Sequence, residues 1–429
     1  MYDLHPISLG EFDIAVFGGG ISGTFAAVSA ARGGAKVIII ERQGAFGGIL
    51  TEGFVPRIMD SANKGGLVRE LFSFLDERGM SAARSGKKDR ETGKLLPGDL
   101  VDTEACKYFF DKILAEAGVK VLLYSQLAAL DVDGERIKSA LIVSELANYT
   151  LSAKMYIDAT GNGTAAAMAG CKWDIGEPQT GAPHPVSMGS CVVGMPRDFK
   201  GTNTSEDKSA YAALLAKNGI FVSAEQATVV TLPTEKKWTF SVNFGYGVYP
   251  DDTEKLTECT VSGRRELFEV TEAHKQIPGY EDFTLAFTSS HIGIREGRRI
   301  YGEYRITDED IISGRRFEDA LCLVTMSVDV HKMKSDDSPT DYARGVKTKP
   351  YNIPYRALVP LGISNLLLAG RCISGDFYPH SSYRVMGNMA AVGEACGFAA
   401  ALSLKEGVRP AALDGKTVSE YMVERGYAI

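Results

Sequence analysis

Apolar and polar positions at the start of the chain predict a strand, a helix and a second strand. Phe12–Phe17 is apolar at every position except one, which is typical of a strand covered on both faces. Ile21–Arg32 is rich in alanine, lacks proline and stops before Gly33 and Gly34, which predicts a helix with a glycine C-cap. Ala35–Glu41 is a β-branched run. Together they predict one βαβ unit and a parallel sheet.

Five further elements follow before the character of the chain changes. Asp133-Gly134 separates two β-type runs and is typical of a hairpin turn. The patterns predict two helices, the two hairpin strands and a last strand, over Gly65–Gly79, Thr103–Gly118, Val121–Asp131, Ile137–Val143 and Lys154–Thr160.

The middle of the chain has a different pattern. Apolar side chains at Trp238, Phe240, Val242 and Phe244 alternate with polar ones, which predicts a strand with one face in water. His331–Pro354 is long, polar and interrupted by proline, so we expect a surface loop or a lid there.

Thr307, also in the middle part of the chain, begins a capping box that predicts a short helix ending at Gly314. The last part of the chain then returns to the pattern of the first. Asn365–Ala369 has the pattern of a buried strand, and Met386–Lys405 that of a helix of small residues. We therefore predict an α/β protein in which a Rossmann-like domain is built from both chain ends, residues 1–177 and 351–429. An α+β substrate domain, residues 178–350, is inserted between them.

Composition narrows the possible functions. A net charge of −7 argues against a nucleic-acid partner, which requires a basic face. The apolar runs are too short to cross a bilayer, and the first residues do not resemble a secretory signal, so we expect no membrane partner. The seven cysteines are scattered without a C-x-x-C pair, so we expect no metal site and a cytoplasmic, reducing compartment.

The first βαβ unit contains a dinucleotide fingerprint. Gly18, Gly20 and Gly23 form G-x-G-x-x-G between the first strand and its helix. Gly18 permits the tight turn, Gly20 lets backbone N–H groups approach a pyrophosphate, and Gly23 allows close helix packing. Glu41 follows the second strand and is placed to accept from an adenosine ribose, which disfavours NADP. On these residues alone, NAD and FAD both remain open.

Motifs along nearly the whole chain resemble those of bacterial FAD-dependent oxidoreductases. That family belongs to the glutathione-reductase-type superfamily and is distantly akin to fumarate reductase flavoproteins. The resemblance depends on GGGISG, ERQGAFGG, VDTEACKYFFDKILAEAGVKVLL, YIDATGNG, HIGIREGRRIYGEYRIT, YNIPYRALVP and LLLAGRCISGDFYPHSSYRVMGNMAAVGEACGFAAAL, in that order. It implies a glutathione-reductase-type fold with FAD bound across the sheet and a substrate domain closing over the flavin.

The resemblance also implies which residues contact FAD. They are Gly18, Gly20, Ile21, Ser22, Gly23, Glu41, Arg42, Gly47, Gly48, Ala159, Thr160, Gly161, Gly370, Arg371, Met386, Gly387, Asn388 and Met389. A helix that starts near Gly387 would direct free N–H groups and its positive dipole end at the flavin. Glu394 departs from the glutamine more common in such sequences, and we expect it to affect helix packing only.

Candidate catalytic residues come from the insert and the C-terminal part. Hydride chemistry needs a proton acceptor or donor, and an anionic substrate needs arginine. His380, His291 and His331, with Arg384 and Arg295, are the candidates. An alternative for Arg295, Glu296, Arg298 and Arg299 is a structural ion-pair cluster. His184, between two prolines, is interpreted as part of a turn that crosses between domains, and His5 and His274 as incidental.

We therefore expect an FAD enzyme that transfers hydride between the flavin and a small organic substrate. Three alternatives remain. They are a flavin reductase or monooxygenase supplied by NAD(P)H, a non-catalytic flavin-binding protein, and a plain NAD-binding Rossmann protein. No redox C-x-x-x-x-C follows the first glycine loop, which disfavours a disulfide reductase. The sequence does not indicate the oligomeric state.

Overall fold

The computed structural model describes residues 5–82, 99–233, 236–334 and 343–429. The helices of these residues are α1 (Ile21–Arg32), α2 (Gly66–Asp76), α3 (Thr103–Glu116), α4 (Thr164–Met168), α5 (Ser205–Lys217), α6 (Thr253–His274), α7 (Asp308–Ser313), α8 (Phe377–Tyr383), α9 (Met386–Glu406) and α10 (Gly415–Glu424). The strands of the larger sheet are β1 (Ile7–Phe17), β2 (Val37–Ile40), β5 (Lys120–Leu122), β6 (Ser125–Asp133), β7 (Arg136–Ser144), β8 (Asn148–Asp158) and β17 (Leu366–Leu368).

The remaining strands are shorter. They are β3 (Ser81–Ala82), β4 (Leu100–Val101), β9 (Trp173–Asp174), β10 (Ser190–Val193), β11 (Thr228–Thr231), β12 (Trp238–Ser241), β13 (Thr284–Thr288), β14 (Arg299–Ile300), β15 (Ala320–Val324) and β16 (Tyr351–Pro354). β10 to β13 form one antiparallel sheet of four strands, and the others pair as two-stranded ladders.

The larger sheet has the strand order β5-β2-β1-β8-β7-β6, and β17 pairs with the second half of β8. β5, β2, β1, β8 and β17 run parallel, whereas β6 and β7 form an antiparallel hairpin beside β8. The carboxyl ends of β1, β2, β8 and β17 therefore meet at one edge of the sheet. Strands from both ends of the chain build this edge, as the sequence predicted.

Two small-residue helices cover one face of this sheet. An ideal Cβ on Gly393 would lie 2.1 Å from the carbonyl oxygen of Ser22, and one on Gly397 would lie 2.1 Å from that of Ala26. α9 therefore packs backbone to backbone on α1, which explains its small residues. The second of these contacts lies four residues after the first on both helices, so the helices run in the same direction. Their N-termini lie at the same edge of the sheet.

The insert has a hydrophobic core of its own. Buried residues between Val186 and Ile292 form this second core on the four-stranded sheet and α6, and the partly buried Ile294 packs against it. Ile300 to Val359 pack in the first core instead. The division into 1–177, 178–350 and 351–429 stays a prediction, and the extent of the two cores favours an insert that ends near residue 294.

Three predicted elements differ from the structure. Val121–Asp131 is not one strand, because Tyr124 has a φ of 52° and separates β5 from β6. The strand predicted through Phe244 ends at Ser241. The predicted loop or lid ends earlier than Pro354, since β16 is a buried strand paired with β15; residues 335–342 of it lie outside the described residues.

Glu394 has a larger structural role than the sequence indicated. Its buried carboxylate accepts hydrogen bonds from the Leu67 amide (2.7 Å), the Tyr427 hydroxyl (2.6 Å) and Arg425 Nε (2.7 Å). These groups belong to the first turn of α2 and to the C-terminal segment. Glu394 therefore joins three separate parts of the chain.

Among the described residues, no single helix is long and apolar enough to cross a membrane. Only α8 and α9 taken together, bent by 92°, meet the length and composition for a span.

His274 makes the stability of the second core depend on pH. Its ring is buried, with Nε2 2.7 Å from the Tyr211 hydroxyl and Nδ1 2.6 Å from the Val270 carbonyl. Burial lowers the pKa of His274 below its ordinary value of 6.5, although the bond to Val270 opposes this. The unfolded chain therefore takes up this proton at a higher pH than the folded chain does. The free energy of unfolding must fall as the pH drops below about 6.5.

We predict that the double variant His274→Phe with Tyr211→Phe loses less of its free energy of unfolding between pH 7 and pH 5.5 than the wild type does. Removing the hydroxyl together with the imidazole leaves no buried polar group unpaired. Urea titrations in a Trp173→Phe background, followed by the fluorescence of Trp238 in β12, measure the insert. Equal losses in both proteins would contradict the prediction.

Candidate functional site

The three fingerprint glycines differ in what surrounds them. A Cβ on Gly18, whose φ is 98°, would lie 2.5 Å from the carbonyl oxygen of Ala159. One on Gly23 would lie 1.9 Å from the oxygen of Gly18. One on Gly20 would meet nothing within 4 Å. Gly18 and Gly23 are therefore required by packing inside the fold, whereas Gly20 borders open space at the start of α1.

Glu41 holds the glycine turn in place. Its buried carboxylate accepts from the amide of Gly19 at 2.6 Å and from that of Gln43 at 2.8 Å. The second glycine loop lies directly on the first, since the Gly47 amide donates to the Gly19 carbonyl at 2.8 Å. A carboxylate has about four lone-pair positions, so Glu41 retains acceptors for two ribose hydroxyls.

The turn after β8 packs between the other turns of this edge. Asp158 accepts from the amide and hydroxyl of Thr160 and from the Ala166 amide, which fixes the turn through Ala159 and Gly161. Burial raises the pKa of Asp158, and these bonds oppose the increase. A Cβ on Gly161 would lie 2.7 Å from Arg371 Nη1. This turn is thus shaped around the Arg371 guanidinium.

Arg371 is a partly buried cation without an anionic partner. It donates to Asn162 Oδ1 at 2.8 Å, its Nε is buried and unpaired, and no carboxylate of the described residues forms an ion pair with it. Burial and the charges of Arg384 and Arg42 lower its pKa to about 10. Uncompensated cations in such surroundings are costly. The position therefore suits a bound anion.

Arg42 and His291 lie together at the same edge. Arg42 Nη2 is 3.1 Å from His291 Nε2 and 3.2 Å from Nδ1. Burial and the charges of Arg42 and Arg371 lower the pKa of His291 to about 3, so its ring is neutral and accepts from Arg42. The structure brings His291, from the inserted region, to this edge and not to the other candidate histidines.

These features fit a dinucleotide. Gly20 supplies no side-chain cap to α1, so its first-turn N–H groups remain available, and Ser22 Oγ is buried without a partner among the described residues. Helix N-termini of this kind bind phosphates. Arg42 and Arg371 together offer two positive charges to the two negative charges of a pyrophosphate.

The N-terminus of α9 only partly matches expectation. The Gly387 amide donates to the Met59 carbonyl at 3.0 Å, and a Cβ there would lie 2.5 Å from the oxygen of Asp60. We had expected this amide to be free, but it is already hydrogen-bonded within the protein. The Asn388 side chain is buried beside it, and its amide nitrogen and oxygen have no hydrogen-bond partner among the described residues. α9 begins six residues before the level of Ile21, so it extends about 9 Å past the start of α1.

Arg295, Arg384 and His331 converge on a second group of side chains. Arg384 Nη2 donates to the Asp329 carbonyl at 2.8 Å, and its Nη1 donates to the Arg295 carbonyl at 3.2 Å. Arg295 Nη1 donates to the Pro185 carbonyl, and its guanidinium lies 4.9 Å from the centre of the Phe244 ring. His331 Nε2 is 3.4 Å from Asp329 Oδ2.

The charges of this group leave its histidines neutral. Burial lowers the pKa of His331, as does Arg295, although Asp329 opposes them. Burial alone would raise the pKa of Asp329, but its bond to His331 and the charges of Arg384 and Arg295 hold it well below the usual range. At neutral pH the group therefore contains a carboxylate, two guanidiniums and a neutral imidazole that can accept a proton.

His184 belongs to this group, although the sequence had suggested a turn. Its ring stacks on Phe377 with centroids 5.0 Å apart, and its Nε2 is 2.9 Å from Ser381 Oγ. The His331 ring lies 6.5 Å away, centroid to centroid. Burial and the charge of Arg384 lower the pKa of His184 well below its ordinary value.

His380 lies inside α8 and is fully buried. Neither ring nitrogen has a partner among the described residues. Burial and the charges of Arg299, Arg384 and Arg371 lower its pKa well below 6.5. His380 is thus a neutral buried ring whose pKa is affected by arginines of both groups.

The alternatives for the Arg295–Arg299 segment divide between its residues. Glu296 and Arg299 form a buried ion pair, and Glu296 also accepts from the amides of Gly176 and His184. Those two residues are structural. Arg295 points away from this pair, into the group with Arg384 and His331.

A family model described as FAD dependent oxidoreductase matches residues 13–422. The chain belongs to the FAD-dependent oxidoreductase family. FAD is therefore its cofactor, and the Gly20 edge with Arg42 and Arg371 would hold the pyrophosphate of that FAD. No curated protein matches the sequence.

The likeness to one solved structure supports the fold of this FAD-dependent oxidoreductase. A geranylgeranyl bacteriochlorophyll reductase-like protein from Thermoplasma acidophilum matches with a TM-score of 0.51 and 13% identity, over 97% of this chain and 84% of that chain. A p-nitrophenol 4-monooxygenase from Pseudomonas putida matches with a TM-score of 0.49 and 14% identity, over 97% and 85%. At such identity a likeness concerns the fold alone.

Sequence reasoning did not identify Asp329 and His184 as members of the site. Asp329 and His331 are only two residues apart in the chain. That D-x-H spacing is a usable signal. His184 had none, because only the folded chain brings it to α8, about 200 residues later.

We predict that Gly20→Ala folds like the wild type but binds FAD about tenfold more weakly or worse. Its Cβ meets no protein atom, yet it occupies the space where the pyrophosphate must approach the backbone. Fluorescence titration of the FAD-free protein measures the affinity, and thermal unfolding checks the fold. Gly134→Asn, in the remote hairpin, is the control. Wild-type affinity in Gly20→Ala would exclude the assigned cradle.

We predict opposite effects of Arg371→Met on the two forms of the protein. The FAD-free form gains thermal stability, because an uncompensated cation is removed, while FAD binds about ten- to hundredfold more weakly. Thermal unfolding measures the stability, and fluorescence titration of the FAD-free protein measures the affinity. Arg356→Met, which removes a guanidinium paired with Asp319, is the matched control and leaves FAD affinity unchanged. A less stable FAD-free variant with unchanged affinity would refute the assignment.

Proposed function

We propose that this protein transfers hydride between its FAD and a small organic molecule bound at the Arg295, Arg384, His331 and His184 group. The cofactor supplies hydride transfer at its flavin ring when bound. What supports the proposal is a neutral imidazole, His331, oriented by the Asp329 carboxylate and next to two cations. Oxidation at a C–H or O–H group releases a proton with the hydride, and His331 takes it; in the reverse direction His331 returns it.

The relation of this group to the cofactor edge also supports the proposal. Arg384 lies just before α9 and close enough to Arg371 to lower its pKa. The substrate would then lie between α8, the start of α9 and the inserted region, and the phosphates would lie at α1. This arrangement favours a glutathione-reductase-type organisation. For the compartment we propose the cytoplasm, which seven buried free cysteines support.

The test is anaerobic mixing of the FAD-loaded protein with a panel of metabolites while flavin absorption is followed. We expect one class of organic molecule to bleach the flavin without NAD(P)H. Direct bleaching by NADH or NADPH alone would instead support a reductase or monooxygenase. If no compound and no nicotinamide bleaches it, the proposed transfer is wrong.

We predict that His331→Gln slows this bleaching by at least tenfold, because a positioned proton acceptor contributes about 10²- to 10⁴-fold. FAD content stays at the wild-type level, since His331 lies outside the phosphate edge. His5→Gln, on the exposed N-terminal segment, is the control. An unchanged rate in His331→Gln would remove it from proton transfer.

A further inference from the structure

We propose that the substrate carries a single carboxylate and that Arg295 binds it with the support of the Arg384 charge. This inference rests on the proposed function, because it specifies the substrate class of the same group of residues. The inference is supported by the hydrogen-bond donors and the charges of the side chains in that group.

Arg295 presents an unoccupied edge of its guanidinium. A guanidinium has five N–H donors. Among the described residues, Arg295 donates one hydrogen bond, from Nη1 to the Pro185 carbonyl at 2.8 Å. Its Nε and Nη2 have no partner among the described residues. Two parallel donors of this kind match the two oxygens of a carboxylate. The residue is half-buried.

Arg295 is also held in one position. Its bond to Pro185 fixes one nitrogen, and the ring of Phe244 lies 4.9 Å below the guanidinium. Such stacking favours the cation and restricts its movement. The free edge is therefore preorganised, and little conformational entropy is lost when an anion binds.

Arg384 contributes charge without an open fork. Both of its terminal nitrogens donate to backbone carbonyls, those of Arg295 and Asp329. Carbonyl oxygens satisfy donors but do not neutralise a positive charge. In the described part of the chain, Asp329 is the one carboxylate within ion-pair distance of Arg384, with Oδ2 3.4 Å from Nη2. Only 7% of the Arg384 side chain is exposed.

The charges in this group fit one negative charge on the ligand. Arg295 and Arg384 carry two positive charges, Asp329 carries one negative charge, and His331 and His184 are neutral. One positive charge is therefore uncompensated. The pyrophosphate of FAD would match Arg42 and Arg371 at the α1 edge, which leaves this remaining charge for the substrate.

The probes are acetate, propionate and benzoate, each paired with its neutral amide, and inorganic phosphate. They are titrated into the oxidised FAD-loaded protein at constant ionic strength, and both the flavin absorption and the unfolding temperature are followed. We expect the three acids to bind saturably and the amides not to bind. Equal binding of acids and amides, or equal binding of inorganic phosphate, would overturn the proposal.

Two variants move the affinity in opposite directions. Arg295→Gln should bind the acids at least tenfold more weakly, because the fork and one charge are lost. Asp329→Asn should bind them about fivefold more tightly or better, because the competing carboxylate is lost. A merely structural role for these residues does not predict a gain. Arg356→Gln is the control for a paired surface arginine. Unchanged affinity in either variant would overturn the proposal.

These measurements separate this inference from the proposed function, since acid binding requires no turnover. If the acids bind as described and no metabolite bleaches the flavin, the proposed function fails and the carboxylate site stands. If a metabolite bleaches the flavin equally well in the wild type and in Arg295→Gln, the function stands and the carboxylate site is wrong.

Discussion

The backbone contact between α1 and α9 is the constraint on which the rest of the structure depends. α1 comes from the start of the chain and α9 from its end, and they touch through Gly393 and Gly397. Any larger side chain at these two glycines would separate the helices. Because the helices run in the same direction, their contact places both N-termini at the carboxyl edge of the sheet. A dinucleotide site can then extend from one N-terminus to the other.

Uncompensated positive charge organises the site built on this contact. Arg371 at the phosphate edge, and Arg295 with Arg384 farther along, are partly buried guanidiniums. In the described part of the chain, Asp329 is the one carboxylate that forms an ion pair with any of these three. Partly buried cations are costly, so anions bound beside them would stabilise this region. Burial, together with these charges, lowers the pKa of the neighbouring histidines and keeps them neutral at physiological pH, so a proton acceptor is available next to cations.

Much of the first domain could be predicted from sequence, because its signals are local. The boundaries of α1 follow from small residues between glycines, and the predicted helix agrees with the structure from Ile21 to Arg32. In the middle part of the chain, the helix predicted from the capping box at Thr307 is likewise confirmed, with Gly314 as its C-cap. The split between β5 and β6 was missed, because a non-glycine residue in the left-handed region, Tyr124, has no reliable sequence signal.

The site divides in the same way. The sequence by itself determined the glycine turn and the family motifs, since each depends on neighbouring residues whose backbone conformation is set locally. Only the tertiary structure decided that His184 and Asp329 join Arg295, Arg384 and His331, and that His291 lies instead against Arg42. Those contacts join segments up to about 250 residues apart, and they depend on how the insert packs on α8. No local pattern encodes that packing.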